Sequence, residues 1–129
     1  MNATLAQRVY AMLFDAGVLF VTIFGLPVLL APLGLPDAVR GYLYAAIFLS
    51  ALLAYDPWLV FLFGQTLGHR AMGIKVLRAD GGRVSLGAAY VRFIVKSATG
   101  LYSFATMAGQ RQLALQDIVT KTKVVSLRA

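Results

Sequence analysis

Asp15 and Asp56 are the residues of this chain whose setting could do chemistry. Each is a carboxylate inside a long apolar run, Asp15 within residues 9–33 and Asp56 within residues 42–63. A charged Asp near the centre of a spanning helix costs about 2.5–3.5 kcal/mol. Such residues therefore face the protein interior, where they mark an ion or proton path or meet a partner charge. In two antiparallel helices, counting from the ends brings Asp15 and Asp56 to similar depths. Pro57 follows Asp56 directly. It removes an N–H and leaves the carbonyl near Leu53 without its helical donor, and in lipid such a group needs a polar neighbour, water or an ion. Two carboxylates and a freed carbonyl at one depth make a candidate site for a proton or a hard cation. The plainer alternative is ion pairing, with Asp15 bound to Arg8, Arg92 or Lys96 and Asp56 a structural residue at a proline kink. Arg92 and Lys96 lie four apart, so they share one helix face and are the available charge partners.

Other chemistries find little support. The chain has one His, His69, and no Cys, which excludes thiol chemistry and makes a metal cluster implausible. No serine has a His and a carboxylate near it in sequence, so an enzyme is not expected, and no cofactor is implied. The run from Gly64 to Arg70 has the glycines of a phosphate loop but not its Gly-Lys-Ser/Thr ending. It reads as a tight exit turn, with His69 on the surface or at an interface.

The elements that must hold these residues follow from the apolar pattern. Of 129 residues 60% are hydrophobic and 13% charged, against about 45–50% apolar and about 25% charged in soluble domains. The mean hydropathy is +0.77. The fold expected is a single all-α membrane domain over residues 1–129. Spanning helices at about 9–33 and 42–63 form a hairpin across the bilayer, joined at the Pro32, Gly34, Pro36, Asp37 breaker cluster. Asp15 and the length of the first run argue against a signal peptide. Ile74-Lys75-Val76-Leu77, an Asp-Gly-Gly turn and Arg83-Val84 suggest a β-hairpin over 73–86, to which Lys123–Ser126 could add a strand. Ser85 is a fitting N-cap for a third helix over 86–107, either spanning or interfacial and re-entrant with a bend at Gly100. A cytoplasmic tail, 108–129, completes the chain.

The net charge of +7 comes from bases outside the apolar runs. That placement fits cytoplasmic flanks beside anionic lipid and not a nucleic-acid patch. The bases after the second helix and in the tail put both termini in the cytoplasm and favour the interfacial or re-entrant third helix. Two crossings leave little room for a path within one protomer, so a homo-oligomer is expected.

Arg8 and Asp15, the block Gly64-Gln65-Thr66-Leu67-Gly68-His69-Arg70 followed by Gly73-Ile74-Lys75-Val76, and the tail Leu115-Gln116-Asp117 with Thr122-Lys123-Val124-Val125 resemble the RDD family of small bacterial membrane proteins. The resemblance covers nearly the whole chain, and the Gly-Gln-Thr-Leu-Gly block is its more specific part. It maps the Arg and two Asp of the family name onto Arg8, Asp15 and Asp117. It implies a bacterial membrane protein with a polar centre and, by suggestion for some members, cation/proton exchange. The family's tail has His-Asp where this chain has Gln116-Asp117, so no role resting on that His carries over. Asp117 is expected to pair with Arg8 and tie the tail to the first helix. The alternative function is a non-transporting scaffold or assembly partner with a basic cytoplasmic face.

Overall fold

The computed structural model describes residues 2–100, 102 and 113–128. Helix α1 (Leu5–Leu30) begins earlier than the apolar run because Thr4 caps it. The Thr4 hydroxyl accepts the Gln7 N–H at 3.2 Å, and the Gln7 side chain accepts the Thr4 N–H at 3.0 Å, a reciprocal capping box. This start puts Arg8 inside the helix. A short 3-10 turn, Ala31–Leu33, and Gly34 at φ 64° reverse the chain. Helix α2 (Asp37–Phe63) also starts earlier than expected, with Asp37 in its first turn and ion-paired to Arg40; an acid there suits the helix dipole. Both helices are long and apolar enough to cross a membrane.

Gly64, at φ 72°, ends α2. The five-residue helix α3 (Leu67–Ala71) then lies against α1, and strand β1 (Ile74–Arg78) follows. The Asp-Gly-Gly turn forms as expected: Arg78 accepts the Gly81 N–H and donates to the Gly82 carbonyl, both at 2.9 Å. The hairpin expected over 73–86 does not. Val84 goes into the core at 3% exposure, and Ser85 caps helix α4 (Leu86–Thr99), accepting the Ala88 N–H at 3.2 Å. Two residues between turn and cap are too few for a return strand. The partner of β1 is instead β2 (Thr122–Ser126), antiparallel, with Ile74 opposite Ser126 and Arg78 opposite Thr122. This is the C-terminal segment whose addition the sequence suggested. The N-terminus joins the same sheet edge through Asn2 opposite Val125 and the Ala3 N–H to Val124 O at 2.8 Å.

Helix α4 ends at Gly100, φ 54°. Its 14 residues rise about 21 Å, short of a hydrocarbon core of about 30 Å. The remainder of the expected third helix, 101 and 103–107, lies outside the described residues. Helix α5 (Leu115–Thr120) packs on α4 and leads into β2.

The apolar core is small and sits at the sheet end, built from Ala3, Ala11, Val60, Ile74, Val76 and Val124 with Val84 and Ala89. Elsewhere polarity is inverted. On α1, Arg8 and Asp15 are buried while Phe20, Val21 and Phe24 are more than 60% exposed. On α4, Arg92 is 7% exposed but Ile94 is 60%.

Candidate functional site

Helix α1 supplies Arg8 and Asp15, two turns apart, to one interior face. Asp15 meets α3 and α2 there. Its Oδ1 accepts the Gly68 N–H at 2.7 Å and the Tyr55 hydroxyl at 2.8 Å, and its Oδ2 accepts the Thr66 hydroxyl at 2.5 Å. Gly68 is required for this approach. A Cβ on it would lie 2.0 Å from the Ala11 carbonyl oxygen and 2.8 Å from Asp15 Cγ. Thr66 does two things at once, since its Oγ1 also accepts the His69 N–H at 3.2 Å while His69 Nδ1 accepts the Thr66 N–H at 3.3 Å.

Asp15 therefore rests on neutral donors, and the ion pairs among the described residues do not include it. The pairing with Arg8, Arg92 or Lys96 that the sequence allowed is corrected: α4 delivers its two bases elsewhere. Lys96 pairs with Asp56, and Arg92 pairs with Asp117 and hydrogen-bonds Thr122. Arg8 reaches Asp117 from the opposite side. Asp117 is wholly buried and also accepts the Ala114 N–H at 3.1 Å, so it fixes the start of α5 as well as neutralising charge. Burial pushes its carboxyl up, but the Arg92 and Arg8 charges together outweigh burial and hold it below the usual range.

These groups converge. A cavity of about 20 Å³ is lined by Arg8, Asp15, Asp56, His69, Arg92, Lys96 and Gln116, with Met12 and Val124. Three carboxylates, counting Asp117 behind the wall, face three cations, so with a neutral His69 the cluster has no formal net charge. The sequence suggested a surface or interfacial position for His69, and its side chain lines the cavity. It is half-buried. Burial first, then the Lys96 charge, push its imidazole down to about 3, with Asp56 opposing. Among the described residues no group of three or more His, Cys, Asp or Glu could hold a metal ion.

The sequence profile of the RDD family matches residues 2–121. The chain belongs to the RDD family. No curated protein and no solved structure matches it. The three residues mapped from the RDD name do not form one triad in this chain. Arg8 and Asp117 are in contact, whereas Asp15 is held by Tyr55, Thr66 and Gly68 across the cavity. Thr66 and Gly68 belong to the Gly-Gln-Thr-Leu-Gly block, so the specific part of the RDD pattern is the part that grips Asp15. Sequence reasoning treated that block as a turn and missed its hydroxyl and N–H as donors. Tyr55, adjacent to Asp56, and Gln116 were also missed. One signal was available: a buried carboxylate needs donors, and Thr and an unhindered Gly N–H are donors.

Proposed function

We propose that this RDD-family chain is an integral membrane protein that takes up and releases a cation, the proton above all, at Asp15 on the cytoplasmic side of the bilayer. The inverted polarity of α1 and α4 supports the membrane setting, because charges inside and bulky apolar groups outside suit a lipid solvent. The segments 16–33 and 38–55, beyond Asp15 and before Asp56, each rise about 27 Å, close to a hydrocarbon core. The cluster then lies at the inner edge of that core.

The observation that carries the functional reading is Asp15, buried, held by three neutral donors and next to a water-sized cavity. Asp56, by contrast, already has Lys96. A neutral cluster of ionisable groups is an expensive way to pack helices, since apolar replacements of buried ion pairs are often as stable or more so. Three basic side chains around the cavity favour the proton, which joins the carboxylate covalently. From Asp15 towards Gly34 the helices offer few polar groups, among them Thr22, Tyr44 and Ser50. A path onward therefore runs between protomers.

The alternative, a scaffold with a basic docking face, draws on the sheet. Its outer face carries Lys75 and Lys123, with Arg78, Arg83, Lys121 and Arg128 exposed around it. Proton movement in liposomes driven by Na⁺, K⁺ or Li⁺ gradients discriminates the two. Flux in the wild type that is lost in a folded Asp15→Asn variant supports the carrier. No flux with any ion from folded protein, together with loss of binding to anionic vesicles on charge reversal at Arg78 and Arg83, supports the scaffold.

A further inference from the structure

Gln116, in the first turn of α5, is 3% exposed, and its Oε1 has no hydrogen-bond partner among the described residues. An unpaired buried acceptor costs about 1–3 kcal/mol, and folded proteins leave few of them. The side chain lines the cavity shared with Asp15 and His69. Both of those have capacity left. His69 Nδ1 is occupied by the Thr66 N–H, so the neutral ring carries its proton on Nε2, which has no acceptor among the described residues. Asp15 accepts from Tyr55, Thr66 and Gly68, and an ionised carboxylate has about four lone-pair sites.

Beside the charged side chains, three residues with unspent capacity, His69 with one donor and Gln116 and Asp15 with acceptors, thus line a space of about 20 Å³. A buried water needs about 10–15 Å³ and two to four polar partners. We propose that the cavity is a built site for a single water molecule, which accepts from His69 Nε2–H and donates to Gln116 Oε1 and to Asp15. The charge around it selects a neutral occupant. Arg8, Arg92 and Lys96 line the same space, and a metal ion there would be a fourth positive charge against three carboxylates. The water joins α5 to α1 and α3. On the carrier reading, it also stands where a proton destined for Asp15 must arrive.

The test is a crystal structure of the full chain grown from a lipid mesophase, with one set of crystals in a thallium(I) salt. The expected result is one solvent peak about 2.7–3.2 Å from Gln116 Oε1, with no anomalous signal in thallium, and its loss in Gln116→Met. No peak in the wild type, an anomalous peak, or a peak unchanged in Gln116→Met overturns the proposal. If Gln116→Met does not fold, the two wild-type data sets decide alone. The outcome is separate from transport: a peak in a protein without flux keeps the water site and rejects the carrier.

Discussion

Single side chains in this cluster are fixed by what they can no longer exchange with water. His69 illustrates it. Its Nδ1 is committed to the Thr66 N–H, and burial first, then the Lys96, Arg92 and Arg8 charges, oppose its protonation while Asp56 favours it. The folded pKa is about 3, against about 6.5 in an unfolded chain. Between those values the unfolded state binds more protons, so stability falls as pH is lowered through that window, by at most about 1.4 kcal/mol per unit. The slope should be shallower than this limit because the ring keeps some surface. Asp117 adds nothing between about pH 7 and pH 5: its carboxyl is held below the ordinary range, so its contribution is lost only as pH falls below about 3.9. Thermal unfolding in nanodiscs at pH 7 and pH 5 should show wild type losing stability, and His69→Gln losing less. Gln at this position can still accept the Thr66 N–H, which keeps the cap while removing the titration. Equal losses would remove His69 as the acid-sensitive group.

Helices and strands here are positioned by a few close approaches that periodicity does not encode. The tightest is α3 on α1. Gly68→Ala would drive a methyl into the Ala11 carbonyl, and a backbone oxygen moves only if α1 moves. Overpacking typically costs about 1–3 kcal/mol, and this contact belongs at the upper end. Gly17 in α1 meets nothing within 4 Å, so Gly17→Ala should be neutral or stabilising by up to about 1 kcal/mol. Comparing midpoints of the two variants checks the pair; similar stability for both would mean α3 does not pack as described. The two long helices were legible because apolar length is a direct signal. Ser85 as the α4 cap was legible for the same local reason. The sheet was half legible. The Asp-Gly-Gly turn announced a reversal, but a turn says nothing about which later segment pairs with β1, and residue 126 lies far along the chain. Arg92 and Lys96 were placed on one face by their spacing, yet their partners, Asp117 and Asp56, depended on how α4 crosses α2 and α5. Asp15 was singled out correctly as buried, while the donors that hold it come from α2 and α3, beyond the reach of local pattern.

For the molecule as a whole, the sheet constrains how the chain can sit in a bilayer. β1 follows the second long helix, β2 belongs to the tail, and Asn2 and Ala3 precede the first long helix, yet all three are hydrogen-bonded together. They must share one side of any membrane. With two crossings in the hairpin this is satisfied; one further crossing between β1 and β2 would separate paired strands. On the membrane reading proposed above, the bases on that side, Arg78, Arg83, Lys121 and Arg128 among them, would face the cytoplasm. The chain contains no cysteine, so single thiols can be introduced cleanly. Asp37, with a side chain 92% exposed at the far turn, and Asp80 at 60% and Leu127 at 58% near the sheet are suitable positions. A membrane-impermeant maleimide applied to intact bacterial spheroplasts should label Asp37→Cys. Asp80→Cys and Leu127→Cys should react only after permeabilisation. Labelling of all three in intact spheroplasts would contradict a spanning hairpin. Opposite behaviour of Asp80→Cys and Leu127→Cys would put a third crossing between them, and with it break the strand pairing that holds Asp117 between Arg8 and Arg92.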